Sequence, residues 1–201
     1  VRQALARMQR AQCRWWLLPG NHDYARAEGL WARLSRDAPA NVRVLAEALP
    51  VTLSERAVIL PAPLLYRRTP DDPTAVFESM TTPAGVHRIG LAHGPIQSFS
   101  STAAMNLILA DRAQRSGLDY LALGDWHGFT QIGERTAYSG TPEADDFDRP
   151  VTGGAVLVEI AAPGAVPALS HHPLGRFTWR NEAWPIDGVS GLEAKLRRLR
   201  A

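Results

Sequence analysis

Residues 118–128 read Leu-Asp-Tyr-Leu-Ala-Leu-Gly-Asp-Trp-His-Gly, and this stretch indicates the fold class. Its first part, Asp119 to Leu123, has the length and apolar composition of a buried β-strand. A polar turn with a glycine at each end follows immediately. In layered α/β folds, ligands collect in the crevice beyond the carboxyl ends of the strands. The stretch therefore predicts an α/β fold with a candidate site in the turn after this strand.

The same arrangement of apolar strand and polar turn occurs twice earlier in the chain. Residues 19–23, Pro-Gly-Asn-His-Asp, follow the apolar run 14–18, and residues 93–95, His-Gly-Pro, follow the run 88–92. A glycine in each turn permits a tight bend and the close approach of a ligand. We therefore expect the three turns to meet at one edge of the fold. Their candidate site residues are Asn21, His22, Asp23, His93, Asp125 and His127.

Helical and strand-like patterns alternate along the rest of the chain. Helices are expected at residues 24–36 and 102–116, and short strands at residues 42–60 and 136–179. This order predicts a layered α/β/β/α sandwich, in which two mixed sheets are flanked by helices.

The chain of 201 residues is long enough for one domain with a small appendage. We expect residues 1–160 to form the main domain. Residues 161–201 are expected to form a strand-rich C-terminal extension that ends in a helix.

The composition is that of a soluble globular protein, with 45% hydrophobic and 21% charged residues. A formal net charge of +2 does not by itself argue for nucleic acid. No apolar run reaches the length of a membrane span, so no association with a membrane is expected. Cys13 is the only cysteine, which excludes an internal disulfide and predicts a cytoplasmic protein. Its position beside an apolar run predicts that it is a small core residue.

The side chains in the three turns offer amide oxygen, imidazole nitrogen and carboxylate oxygen, without a thiolate. Such a mixed set of donors favours manganese, iron or zinc in a catalytic site over a structural zinc site. Two alternatives without a metal stay open at this stage. Asn21, His22 and Asp23 have the composition of a simple turn, and Asp125 could cap a turn.

The block Gly20-Asn21-His22-Asp23 resembles the Gly-Asn-His-Asp/Glu block of calcineurin-like metallophosphoesterases. In that family the block is followed by a lone histidine after a strand and then by Gly-His-x-His. His93 and His127 follow here in the same order and in the same strand-end context. The first histidine of the last block is replaced by Asp125, which can still hold a divalent cation.

The resemblance implies a site with two divalent metal ions, expected to be Mn²⁺, with Fe²⁺ or Zn²⁺ as alternatives. Asn21, His93 and Asp125 would hold one ion, and His127 would help to hold the other. His22 would face the substrate, either as an acid to the leaving oxygen or to stabilise the transition state, and Asp23 would orient its ring.

A narrower resemblance is to SbcD-type DNA repair exonucleases. It rests on residues 118–131, on Tyr-Ser-Gly-Thr-Pro-Glu at 138–143 and on the strand at 154–160. It implies that the substrate is DNA, that phosphodiester bonds are hydrolysed and that an SMC-like ATPase is a partner. The alternatives are a small-molecule phosphatase, a cyclic-nucleotide phosphodiesterase, or a non-catalytic, degenerate member of the family. The oligomeric state stays open.

Two further blocks of that family, Asp-x-His and Gly-Asp-x-x-Asp, belong before Gly20. No acidic residue precedes Asp23 in this chain. The resemblance therefore predicts a domain truncated at its N-terminus, which as given has little phosphodiesterase activity.

Overall fold

A computed structural model describes residues 2–97, 105–144, 147, 153–177, 179, 183 and 189–200. Over these residues the chain forms an α/β fold, as predicted. The strands are β1 Trp15–Leu17, β2 Val42–Val44, β3 Val51–Ser54, β4 Ala57–Ala62, β5 His87–His93, β6 Tyr120–Gly124, β7 Thr130–Ile132, β8 Thr136–Tyr138, β9 Gly154–Glu159 and β10 Ala168–Pro173. The helices are α1 Arg2–Arg10, α2 Leu30–Asp37, α3 Arg112–Arg115 and α4 Val189–Arg200, with a 3-10 helix at Pro73–Ser79.

The largest sheet has six strands in the order β3-β4-β5-β6-β8-β7. Strands β4, β5, β6 and β8 run parallel, whereas β3 and β7 pair antiparallel at the two ends of the sheet. Strands β1 and β2 form a second, parallel pair, and β9 and β10 form an antiparallel hairpin. The parallel register brings the carboxyl ends of β4, β5 and β6 to one edge of the large sheet.

One face of the large sheet carries the main core. Successive side chains of a strand point to opposite faces, so Val58, Leu60 and Ala62 of β4 share a face. They pack with Phe77 of the 3-10 helix and with Leu121 of β6. Leu60, Phe77 and Leu121 are completely buried.

The opposite face of the large sheet packs against the small sheet. Ile59 of β4 lies in a second core cluster with Leu45 and Val51, and Trp16 and Leu18 from β1 and its end pack against this cluster. Helices α1 and α2 contact β2, and the 3-10 helix contacts β4 and β5. The described elements thus stack as helix, small sheet, large sheet and helix.

The predicted helix at 24–36 begins later than expected, at Leu30. Ahead of this helix, the Ala25 N–H donates to the distant Leu64 carbonyl over 2.8 Å, and the Gly29 N–H donates to the Arg26 carbonyl over 3.1 Å in a turn. The part that is helical has the expected apolar face, since Trp31 and Leu34 are buried. Long-range hydrogen bonds therefore set the start of this helix.

The predicted helix at 102–116 is wrong over most of its described part. Only Arg112–Arg115 is helical, and Ile108 forms a parallel β-bridge with Ile96. Asn106 has a positive φ of 59°, which an α-helix cannot contain. Residues 98–104 lie outside the described part.

Two smaller expectations also differ from the structure. Cys13 is exposed and not a core residue, because it lies in the bend between α1 and β1. Strand β7 was not expected, since Thr130–Ile132 is short and only partly buried. No helix in the described ranges is both long and apolar enough to cross a bilayer.

The β9–β10 hairpin is hydrogen-bonded to the large sheet through the buried side chain of Asp119. One carboxylate oxygen accepts from the Gly164 N–H over 2.5 Å, and the other accepts from the Arg88 N–H over 2.8 Å. Arg135 donates to the Ala165 carbonyl over 2.8 Å. The expected boundary at residue 160 lies in the turn of this hairpin, between β9 and β10.

The core predicts a loss of stability in alkaline solution. Burial raises the pKa of Tyr120 to about 12, because the phenolate is poorly solvated there. This pKa lies above the value of about 10 in an unfolded chain. The contribution of neutral Tyr120 to the free energy of unfolding is therefore fully present below about pH 10. It is lost as the pH rises through the folded-state pKa.

We therefore expect the free energy of unfolding to decrease between about pH 10 and pH 12. The decrease should be less steep in Tyr120→Phe, measured by urea denaturation at a series of pH values. An equally steep decrease in the variant would contradict this account.

Candidate metal centre

Three loops bring the predicted site residues to one edge of the fold. Asn21 lies after β1, His93 is the last residue of β5, and Asp125 directly follows β6. Strands β5 and β6 are parallel neighbours, with His93 opposite Gly124 in the register. Because the small sheet packs on the face that includes Leu91, the loop after β1 reaches the end of β5. The side chain of His93 points to this same face, two residues after Leu91.

The side chains of Asn21, His93 and Asp125 contact one another. His93 Nε2 lies 3.2 Å from Asn21 Oδ1 and 3.6 Å from Asp125 Oδ1. Asn21 Nδ2 donates to Asp125 Oδ1 over 3.2 Å. The side chains of His93 and Asp125 are 23% and 24% exposed, so the cluster is open on one side. The expected convergence of these three residues is therefore observed.

The spacing of these polar atoms fits a single divalent ion. Ligands about 2.1 Å from one ion lie about 3.0 Å apart at octahedral angles and about 3.4 Å apart at tetrahedral angles. The separations from His93 Nε2 to Asn21 Oδ1, 3.2 Å, and to Asp125 Oδ1, 3.6 Å, are close to these values. One amide, one imidazole and one carboxylate form a donor set that suits manganese, iron or zinc.

The ring of His93 is held between two glycines. A Cβ atom on Gly20 or on Gly124 would lie only 2.8 Å from the ring. Any larger residue at either position would push the imidazole away from Asn21 and Asp125. The glycines that appeared in the sequence as turn residues are therefore needed for close packing around His93.

Asp125 has an unusual backbone conformation, with a φ of 111°. Few residues other than glycine adopt this region, and holding one there costs about 1–3 kcal/mol. The strain is offset by the surrounding structure, in which the Gly94 N–H donates to the Gly124 carbonyl over 3.2 Å. A strained residue directly beside a cluster of polar side chains is typical of a functional site.

Tyr138 supports the cluster from the core, and the sequence did not single it out. Its hydroxyl group donates to the Gly94 carbonyl over 2.7 Å, which fixes the backbone directly after His93. Burial, and in addition the nearby carboxylate of Asp125, raises the pKa of Tyr138. The only signal in the sequence is a hydroxyl group at the end of the fully buried strand Thr136–Tyr138.

His22 and Asp23 lie in the same turn as Asn21, and both are exposed. The Gly20 N–H donates to Asp23 Oδ1 over 3.1 Å, which closes the turn. Trp31 Nε1 donates to the carbonyl of Asp23 and ties the turn to α2. The turn thus directs Asn21 to the cluster and leaves the side chain of His22 exposed to solvent.

His127 lies two residues after Asp125, with an exposed side chain. Its carbonyl accepts from the Thr141 N–H over 2.9 Å. Gly140 allows this contact, since a Cβ atom there would lie 2.7 Å from the same carbonyl oxygen. The loop of His127 is therefore held by the segment after β8.

Among the residues described, no three histidine, cysteine, aspartate or glutamate side chains form a group that could hold a metal. The cluster has only two residues of these types, because its third member, Asn21, is an amide.

The chain was also compared with known proteins. No protein-family model matches it, and no curated protein matches it.

The strain at Asp125 predicts an inverted order of stability for two substitutions. Asp125→Ala removes the carboxylate but keeps the strained backbone, whereas Asp125→Gly removes both. We expect the glycine variant to be more stable than the alanine variant by about 1 kcal/mol or more in urea denaturation. The same pair at the exposed helix position Arg36 is the control, where alanine should be the more stable. If Asp125→Ala is more stable than Asp125→Gly, the backbone at this position is not strained.

Proposed function

We propose that the chain is a metal-dependent phosphoesterase of the calcineurin-like type that hydrolyses phosphodiester bonds in DNA. The observation that supports this best is the mutual contact of Asn21, His93 and Asp125 at the ends of three strands. These residues come from distant parts of the sequence, and their donor atoms have the spacing of metal ligands.

In this proposal, Asn21, His93 and Asp125 hold one divalent ion, preferably Mn²⁺, and His127 contributes to a second. Bound divalent ions polarise a phosphoryl oxygen and neutralise the charge that develops on it. The carboxylate of Asp125 adds negative charge where the family has a neutral imidazole, which favours hard cations.

His22 acts as the acid of the reaction. Its side chain is exposed beside Asn21, so it can approach the leaving oxygen of a phosphodiester bound at the cluster. A leaving alkoxide needs a proton, and imidazole can supply one near neutral pH. Asp23 holds the turn through the Gly20 N–H and so fixes the position from which His22 acts.

We propose DNA as the substrate, with a small phosphoester as the alternative. The resemblance of residues 118–131 and 138–143 to DNA repair exonucleases supports this choice. An SMC-like ATPase partner and a cytoplasmic location are proposed on that resemblance alone.

The proposed ligand role of Asp125 is tested by metal titration. Asp125→Ala should weaken Mn²⁺ binding at least about tenfold, because substitution even of a residue that only supports a metal ligand lowers metal affinity about that much. Asp125→His should largely preserve binding, because imidazole also donates to such ions. Isothermal titration calorimetry on this chain measures both. Unchanged affinity in the alanine variant would rule out a ligand role for Asp125.

The proposed activity is tested on the complete product of the gene, with Mn²⁺ and linear DNA. We expect Mn²⁺-dependent cleavage, and we expect His22→Ala to reduce it about 10²–10⁴-fold without a change in Mn²⁺ affinity. Asn21→Ala is the matched variant, which should lose both metal and activity.

Other outcomes of this assay favour the alternatives. Hydrolysis of a small phosphomonoester or of a cyclic nucleotide, without cleavage of DNA, would replace the nuclease proposal. Mn²⁺ binding without any hydrolysis would favour a non-catalytic protein.

A further inference from the structure

The loop that follows β4 exposes an aromatic ring and two guanidinium groups. Leu65 and Tyr66 are 56% and 69% exposed, and Arg67 and Arg68 are exposed as well. Within the described part of the chain, no ion pair joins either arginine to an acidic side chain. These four residues, the 65–68 loop, therefore contribute little to the packing of the fold.

The 65–68 loop lies at the same edge as the cluster of Asn21, His93 and Asp125. Strand β4 ends with Ala62 opposite Ala92, directly before His93. The loop is joined to the turn of Asn21, because the Ala25 N–H donates to the Leu64 carbonyl over 2.8 Å. Asn21 and Ala25 are four positions apart in the sequence, so their Cα atoms lie at most about 14 Å apart.

The buried side chain of Asn106 fixes the end of this loop. Its Oδ1 accepts from the Thr69 N–H over 2.8 Å, and its Nδ2 donates to the Arg67 carbonyl over 3.1 Å. The backbone N–H of Asn106 donates to the Thr69 carbonyl over 2.8 Å. The backbone on both sides of Arg68 is therefore held, while the arginine side chain extends into solvent.

The same residue also connects the loop to the candidate metal centre. Asn106 is 4% exposed and adopts a positive φ. Its carbonyl oxygen would lie 2.4 Å from a Cβ atom on Gly94, the residue after His93. One buried residue thus packs beside His93 and holds a loop whose side chains are exposed. Such rigid presentation of unpaired groups is typical of a binding surface.

A second pair of arginine and aromatic ring lies on the neighbouring turn. The guanidinium group of Arg26 lies over the ring of Tyr24, 4.3 Å from its centre. Arginine binds phosphate through paired hydrogen bonds, and exposed aromatic rings stack on unpaired bases. The two loops together therefore present both of the groups that a single strand of nucleic acid requires.

We infer that the 65–68 loop, with Tyr24 and Arg26, binds a single-stranded segment of nucleic acid that leads to the metal centre. Only the claim that the nucleic acid leads to the metal centre rests on the proposed phosphodiesterase function. Stacking on Tyr66 requires unpaired bases, which a duplex does not offer.

The test measures binding of a fluorescent 20-nucleotide oligodeoxythymidine to this chain by anisotropy, in EDTA so that no cleavage occurs. Arg67→Ala/Arg68→Ala should weaken binding at least tenfold at low salt. It should also reduce the slope of log K against log salt by about 1.4, since each phosphate contact on a single strand contributes about 0.7. Tyr66→Ala should weaken binding at least about fivefold, through lost stacking.

The matched control is Arg36→Ala/Arg56→Ala, which removes the same charge at other exposed positions. Arg36 lies in the last turn of α2, and Arg56 lies in the turn before β4, at the opposite end of that strand. We expect this variant to bind like the unmodified chain. Equal loss in both double variants would show a general charge effect and overturn the inference.

Two further measurements identify the ligand. If the loop variants bind the oligonucleotide as tightly as the unmodified chain does, the inference is overturned. It is also overturned if the variants weaken binding of a blunt duplex as much as they weaken binding of the oligonucleotide. An equal effect of the variants on binding of polyaspartate would assign the surface to acidic polymers and not to nucleic acid.

Two assays distinguish failure of the inferred binding surface from failure of the proposed function. In the complete gene product, Arg67→Ala/Arg68→Ala should raise the KM for oligonucleotide cleavage and leave hydrolysis of bis(p-nitrophenyl) phosphate unchanged. If that small diester is not hydrolysed by the unmodified protein, the phosphodiesterase proposal fails. The anisotropy measurements then still decide whether the loop binds single strands.

Discussion

The imidazole of His93 lies between Gly20 and Gly124, and the candidate site depends on this contact. Gly20 belongs to the loop that leaves the small sheet, and Gly124 is the last residue of β6 in the large sheet. The ring can occupy this space only because neither residue has a Cβ atom. In this position its Nε2 is directed to both Asn21 and Asp125. The contact therefore joins the two sheets and aligns donor atoms from three loops.

Much of this arrangement could be predicted from the sequence, because the signals are local. Buried strands appear as short apolar runs, and glycine with polar residues marks the turn after each one. The carboxyl ends of parallel strands meet at one edge, so Asn21, His93, Asp125 and His127 were expected to converge, and the first three of them contact one another. The metal and the reaction do not follow from this convergence. They stay proposals, supported by the donor set and by the resemblance.

The parts that could not be predicted depend on contacts between distant residues. Of the helix expected at 102–116, the described residues 105–111 are not helical, because Asn106 bonds to residues 67–69, far away in the sequence. Helix α2 begins late for a similar reason, since Ala25 bonds to Leu64. The position of Tyr138 at a strand end is only a weak local signal, and the strained backbone of Asp125 has none, because their roles arise only when β5, β6 and β8 are side by side.

The hydrogen bonds between Asn106 and the segment Arg67–Thr69 have a consequence for local unfolding. Each segment satisfies polar backbone groups of the other, so neither can leave its place alone without exposing the partner's unpaired groups. The two segments therefore form one cooperative unit, and they open together or not at all. Any opening also removes the packing behind Gly94, which loosens His93. Order in the exposed loop and order at the candidate metal centre are thus coupled in the free protein, before any ligand binds.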